Sequence, residues 1–321
     1  MSAVSAAETP EAPKAAAPKT LRSWSAPKTA VGRQQERLGW LLVIPSLVVV
    51  FAVAIYPLLE TFRLSFTNTR LASVREVRWV GFDNYQRLLQ DDQWWNAMKN
   101  TLIFTFSSVA LETLFGMIVA LTIHSQFRGR GLVRTSMLVP WAIPTVVSAS
   151  LWNWMLNDRY GVINSILVRL GLQAEGTNFA WTADPNTALG AVIAIDVWKT
   201  TPFMALLLLA GLQVIPADVY EAAYVDGASK WQQFWQITLP LLRPALLVAL
   251  IFRTMDSFRV FDLIFVLKGA ATETMTVAVY TQQQLIQANR LGFGSAAAVF
   301  IFLCIGLMVL GYSRLITVEE S

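Results

Sequence analysis

Six stretches of this chain, at about 39–59, 101–123, 132–156, 189–212, 241–267 and 295–316, each approach the roughly 20 predominantly apolar residues that a helix needs to cross a bilayer. Only 14% of the 321 residues are charged, against about 25% in an average soluble domain. Two soluble domains would be possible by length, but the chain lacks the side chains to solvate their surface. Lipid is the solvent that fits. Prolines interrupt the first run (Pro45, Pro57), the third (Pro140, Pro144) and the fourth (Pro202). Each would cost a soluble helix about 3 kcal/mol, whereas membrane helices tolerate them where neighbouring helices satisfy the freed carbonyls. The predicted fold is an all-α integral membrane protein, with six transmembrane helices within residues 38–317.

Residues 1–37 are rich in Ala, Pro, Lys and Ser, with Ala-Pro-Lys recurring at 12–14, 17–19 and 26–28. Such a segment buries no core and is expected to be a disordered basic tail. Its arrangement is not that of a cleavable signal. Residues 318–321 form a second short tail. The net charge of +4 is too small to point to nucleic acid. A single cysteine, Cys304, excludes an intramolecular disulfide, and one histidine with one cysteine leaves no zinc cluster. Six spans put both termini on one side. Basic residues are nearly balanced between the two sets of loops and do not orient the chain. The short loop 126–134, with Arg128, Arg130 and Arg134 and no acid, favours cytoplasmic termini. On the outer side, 79–100 reads as a partly amphipathic helix anchored at the interface by Leu88, Leu89, Trp94 and Trp95, and 157–188 as a long loop over the outer mouth. His124 falls at the cytoplasmic end of the second span, and most of the 12 tryptophans fit interfacial belts.

The segment 216–240, between the fourth and fifth runs, has its own logic. Pro216 and Asp218 suit the start of a helix. Ala222 and Ala223 make a thin face that another backbone can approach. Gly227 permits a left-handed turn that ends the helix. Ser229 can cap a second helix, on which Trp231, Phe234 and Trp235 form an apolar stripe, and Pro240 opens the fifth span. The reading is a helix–turn–helix on the cytoplasmic surface.

Glu221-Ala222-Ala223, then Gly227 after three residues, Ile237 after nine more, and Leu239-Pro240 after one, match every position of the EAA loop of binding-protein-dependent ABC importer permeases. With Trp79-Val-Gly-Phe-Asp-Asn-Tyr, Tyr160-Gly-Val-Ile-Asn and Val197-Trp-Lys-Thr-Thr-Pro-Phe, the chain resembles the carbohydrate branch of that family, the maltose/trehalose-type permeases, over about 38–316. The resemblance implies the type I importer permease fold. It implies an EAA loop that docks on a cytoplasmic ATPase, with Glu221, Ala222, Ala223, Asp226 and Gly227 at the contact. It also implies four kinds of partner: a second EAA-type permease, a dimer of ABC ATPase subunits, an extracytoplasmic sugar-binding protein and the sugar. ATP and magnesium would sit on the ATPase, with no cofactor on this chain.

The fifth run contains Arg253, Asp256, Arg259 and Asp262 at successive spacings of three, and the fourth contains Asp196 and Lys199. Each central charge facing lipid costs about 2.5–3.5 kcal/mol, so this face must point at protein or water. Either the charges form an ion-pair network between the two spans, or they line a polar path. A sugar path needs paired donors and acceptors with flat apolar surfaces, and Trp198 and Phe203 stand near Asp196 and Lys199 in the sequence. Aligned on the EAA loop, the sugar-contact positions of the resembled permeases fall on Asp196, Lys199, Thr200 and Phe203, then on Phe252, Met255, Asp256 and Arg259. Glu112, in the second span, reads as hydrogen-bonded within the bundle.

No phosphate-binding Gly-x-x-x-x-Gly-Lys-Ser/Thr loop and no hydrolase motif are present, so the chain needs a separate ATPase and performs no covalent chemistry. The expected function is the permease subunit of an ATP-driven sugar importer in the cell membrane, with a disaccharide or α-glucoside such as trehalose or maltose as cargo. The alternatives are a glycerol-phosphate ABC permease, in which Lys199 and Arg259 would hold the phosphate, a proton-driven secondary transporter, and a membrane enzyme using Asp196 or Asp256 as an acid.

Overall fold

The computed structural model describes residues 30–71, 76–125, 127–174 and 176–317. The remainder of the expected tail, 1–29, and residues 318–321 lie outside the described residues. The chain divides into two compact units, Met1–Pro57 and Leu58–Ser321. Within the first, α1 (Ala30–Val50) runs into a π-turn at Phe51–Ile55. The helix therefore starts inside the segment expected to be disordered. The stretch Arg33-Gln-Gln-Glu-Arg37 consists of good helix formers and continues the apolar helix backwards.

The described residues of the second unit are helical apart from turns and one isolated bridge between Thr67 and Trp79. After α2 (Tyr56–Ser65) come α3 (Asp83–Leu89), α4 (Asp92–His124), α5 (Arg130–Ala142) and α6 (Thr145–Met155). Then follow α7 (Val162–Arg169), α8 (Pro185–Leu212), α9 (Ala217–Val225) and α10 (Lys230–Gln233). The chain ends with α11 (Leu239–Phe258), α12 (Asp262–Lys268), α13 (Val277–Gln282) and α14 (Leu291–Thr317). Among the described residues, five helical stretches are long and apolar enough to cross a membrane, and α5 with α6 makes a sixth if the pair is one span bent by 92°. The chain is an all-α, multi-pass membrane protein.

The core is built on α4, which packs along α8, with α11 against both. Met117, Ala120, Met204, Leu208, Leu242 and Ala249 fill one end of this three-helix contact. A larger cluster around Trp94, Phe104, Ile195, Phe258, Ile264 and Tyr280 fills the other.

Three expectations change. The segment 79–100 is not one interfacial helix: it breaks at Gln90–Asp91, where the Asp91 carboxylate accepts from the backbone N–H groups of Gln93 and Trp94 and starts α4 afresh. Leu88 and Trp94 are fully buried in the core, while Leu89 and Trp95 stay half exposed. The third run is no single straight span, because Ile143-Pro144 turns extended and the chain bends there. Pro144 lacks the N–H that would continue the helix. The fifth run breaks at Arg259–Phe261, and the carbonyl of Val260 freed there accepts from the Thr276 hydroxyl at 3.0 Å.

Candidate functional site

The breaks in the third and fifth runs meet α8. Thr145 at the start of α6, Asp196, Lys199 and Thr200 on α8, and Arg253, Asp256 and Ser257 on α11 line one cleft of about 220 Å³, closed by Arg259, Val260, Phe261, Asp262 and Leu263 around the second break. The expected residues Asp196, Lys199, Thr200, Asp256 and Arg259 thus come together. Phe203, Phe252 and Met255 do not line this cleft. Phe203 stacks on Trp141 of α5 at 6.1 Å between centroids, and Phe252 is 56% exposed. Trp198 packs edge-on against Trp152. The aromatic surface on the cleft is Phe261, stacked on Phe265. The break that presents it has neither Pro nor Gly to mark it.

The floor of the cleft is an ion-pair network centred on Arg253, whose side chain is 3% exposed. Its Nε and Nη2 donate to the two carboxylate oxygens of Glu112 on α4 at 2.5 and 2.7 Å. Nη2 also reaches Asp196 at 3.2 Å, and Nη1 reaches Asp256 at 2.7 Å. The Thr200 hydroxyl donates to Glu112 at 2.6 Å. A bidentate guanidinium–carboxylate pair with its remaining valences met is the arrangement that makes a buried ion pair tolerable. Spans two, four and five are joined here. Glu112 is hydrogen-bonded within the bundle, as expected, but the sequence did not place it at the site; its signal was a carboxylate in mid-span with no cation within three turns of it on α4.

The helix break separates the four charges of the fifth run. Asp256 and Arg259 are 62% and 65% exposed at their side chains and stand 3.9 Å apart, whereas Asp262 opens α12. Lys199 donates from Nζ to the carbonyl of Ile143 at 2.6 Å, which is the carbonyl that the bend before Pro144 leaves without a helical partner. The Ser257 hydroxyl, on the cleft wall, is buried and has no hydrogen-bond partner among the described residues. Among the described residues, no group of three or more His, Cys, Asp or Glu could hold a metal.

The second feature is the hairpin between α8 and α11. α9 ends on Gly227, at φ +78°, with the Ala228 N–H returning to the Ala223 carbonyl at 2.9 Å and the Gly227 N–H to Tyr224 at 3.0 Å. This is a left-handed C-terminal cap that suits glycine. Ser229 and Gln232 cap α10 reciprocally, as the capping-box geometry requires. A π-turn at Phe234–Thr238 then joins α10 to α11, so the hairpin's second arm is continuous with the fifth span. Tyr220 and Thr238 share a hydrogen bond of 3.0 Å that ties the first arm back to it. Glu221, Ala222, Asp226 and Gly227 are exposed, and Ala223 is buried inside the hairpin. Ile237, Leu239 and Pro240 are half-buried at the root. Trp231, Phe234 and Trp235 form a contiguous aromatic patch.

Residues 112–317 match the family of binding-protein-dependent transport system inner membrane components. The chain is 42% identical over 276 residues to the trehalose/maltose transport system permease protein MalF of Thermococcus litoralis, covering 85% of this chain and 91% of that one. It is 37% identical over 292 residues to the trehalose transport system permease protein SugA of Mycobacterium tuberculosis, covering 90% and 91%. A crystal structure of a bacterial alginate ABC transporter, in complex with alginate pentasaccharide-bound periplasmic protein, contains a chain of similar fold. Its TM-score is 0.77 at 25% identity, covering 88% of this chain and 94% of that one. Permeases of this kind are transport components rather than catalytic enzymes. The chain belongs to the family of binding-protein-dependent transport system inner membrane components, the membrane-spanning permease subunits of ABC importers.

Proposed function

We propose that this chain forms half of the translocation path of an importer for a neutral saccharide of the trehalose/maltose kind. The observation that carries the reading is the charge balance of the cleft. Lys199, Arg253 and Arg259 face Asp196, Asp256 and the Glu112 beneath them, and two of the three cations are already engaged, Arg253 by carboxylates and Lys199 by a backbone carbonyl. Arg259 remains, 3.9 Å from Asp256. A phosphate would enter among carboxylates with only Arg259, itself beside Asp256, left to meet it, which disfavours the glycerol-phosphate alternative. A polyol finds what it needs: exposed donors and acceptors at Asp256 and Arg259, the unpartnered Ser257 hydroxyl, and the ring face of Phe261. Phe203, Phe252 and Met255 would meet the sugar only on surfaces completed by a second permease subunit.

The exposed tip of the hairpin, Glu221, Ala222, Asp226 and Gly227, docks on the ATPase dimer, which binds ATP and magnesium. Because α10, the π-turn and α11 are continuous, movement of the tip is passed directly to Arg253 and Asp256. The hairpin, with both termini, faces the cytoplasm, and the binding protein delivers sugar from the other side. A proton-driven carrier would leave this hairpin without a role.

Reconstitution tests the reading. The permease pair, ATPase and binding protein are placed in proteoliposomes and offered trehalose, maltose and glycerol phosphate. ATP-dependent uptake of a neutral disaccharide is expected. Uptake by this chain without the ATPase, or uptake of glycerol phosphate alone, would overturn it.

A further inference from the structure

The third run is bent by 92° at Ile143-Pro144, and α8 grips it at three points. Before the bend, Trp141 stacks on Phe203, with the ring planes 15° from parallel. After it, Trp152 packs edge-on against Trp198, with centroids 5.3 Å apart. At the corner, the Lys199 ammonium donates to the Ile143 carbonyl at 2.6 Å. Ile143 has an extended ψ of +130°, which takes its carbonyl out of the helical ladder. The next carbonyl, of Pro144, is already met by the Ser148 N–H at 2.9 Å. Inside a bilayer a carbonyl freed in this way finds no water, so the protein must supply its donor.

Proline alone does not account for a bend this sharp. Pro140, Pro202 and Pro244 lie inside α5, α8 and α11, and all three helices run on through them. Lys199 is the group placed to supply the further cause. It is 7% exposed and makes no ion pair among the described residues. Asp196, one turn earlier on α8, is engaged by Arg253 instead. A buried ammonium is costly where an apolar side chain of similar volume would pack, and the carbonyl it holds is what it gains there.

What the bend positions is one wall of the cleft. Thr145 opens α6 and lines the cleft. α6 packs on α12, the helix that follows the break presenting Phe261. The parts of the third and fifth runs beyond their breaks thus rest on one another, and the corner at Ile143 sets where they meet. We propose that Lys199 is a positioning residue of the transport path: it holds the bend of the third run through the Ile143 carbonyl, and it does not select the cargo. The consequence for cargo rests on reading the cleft as the sugar path. The bend itself needs no cargo, so the two readings fail separately.

Spin labels at the exposed Leu132 on α5 and Leu151 on α6 report the bend by pulsed electron spin resonance, in the assembled transporter carrying Cys304→Ser. At a rise of about 1.5 Å per residue, the two backbone positions lie about 20 Å apart across the 92° bend and about 28 Å apart along a straight helix. The short distance is expected with Lys199 in place and in Lys199→Arg, which keeps a cationic donor. In Lys199→Met the ratio of bent to straight should fall about tenfold or more, as loss of one charge-assisted hydrogen bond implies. Turnover per complex should fall with it, while the preference between trehalose and maltose stays the same. Pro144→Ala, with Lys199 kept, should retain the short distance, and it decides the matter if Lys199→Met fails to assemble. An unchanged distance in Lys199→Met would overturn the proposal, and a shifted sugar preference alongside it would make Lys199 a cargo contact. A long distance in Pro144→Ala would assign the bend to the proline and also overturn it.

Discussion

Arg253 and Glu112 are 141 positions apart in sequence and meet through two hydrogen bonds of 2.5 and 2.7 Å, with both side chains almost wholly buried. Removing Arg253 leaves the buried Glu112 and Asp196 without a cation, whereas removing Glu112 leaves Arg253 paired with Asp196 and Asp256. Arg253→Met should therefore destabilise the bundle by about 3–5 kcal/mol, and Glu112→Gln by less. The double variant Arg253→Met with Glu112→Met should recover part of the loss seen in Arg253→Met. Thermal unfolding of the detergent-solubilised complex measures both, and a double variant no better than the worse single one would show that the pair contributes no mutual compensation.

Ser257, Asp256 and Arg259 test the path. Ser257→Ala removes a buried hydroxyl that has no protein partner, so the unfolding temperature should stay level or rise, while the KM for sugar rises. Asp256→Leu and Arg259→Leu change exposed groups and should insert normally but lower uptake. Unchanged uptake and unchanged sugar preference in all three would remove these residues from the path.

Gly227 and Glu221 test the coupling. Gly227→Val forces a β-branched residue to φ +78°, a conformation that costs an L-residue roughly 1–2 kcal/mol, and so distorts the tip. Glu221→Lys reverses an exposed charge. Both complexes should insert and bind the ATPase less tightly, with hydrolysis no longer tied to uptake. Normal ratios of sugar moved to ATP hydrolysed in both variants would remove the hairpin from the coupling path.

Glu273 gives a pH dependence. Its own backbone N–H and then the Lys268 ammonium at 2.9 Å hold its carboxyl below the usual range. A depressed carboxylate stabilises the fold above its unfolded pKa, about 4.3 for glutamate, and that contribution is lost as pH falls through the lower folded value. Glu273→Gln should therefore lower the unfolding temperature at neutral pH and make no difference in acid below the folded pKa. The same deficit at both extremes would show that Glu273 is held by something other than its charge.

The spans and the hairpin were legible because their physics is local. Twenty apolar residues announce a membrane helix, and Pro216, Gly227, Ser229 and Pro240 punctuate the hairpin by backbone preference alone. Spacing put Asp196 with Lys199, and Asp256 with Arg259, on faces that must avoid lipid, the alignment with the resembled permeases added Thr200, and all five line one cleft. What escaped was non-local. Glu112 gained its meaning only when α4 met α11. Phe261 reaches the cleft through a break that no proline or glycine marks. Phe203 and Trp198 looked available because a linear reading shows proximity to Asp196, not that Trp141 and Trp152 already occupy their faces. Trp94 looked interfacial because a tryptophan near a span end usually is, and only tertiary packing buries it.

Lys199 holds the Ile143 carbonyl at the bend of the third run while its neighbours on α8 face the cleft. On the proposed path, recognition and architecture would therefore share one turn of α8, where Thr200 follows Lys199. On that proposal, an engineer retuning such a permease for another cargo would work at Asp256, Ser257 and Arg259. At position 199 the same kind of change would release the bend itself, and a variant lost there would say nothing about which cargo the path prefers.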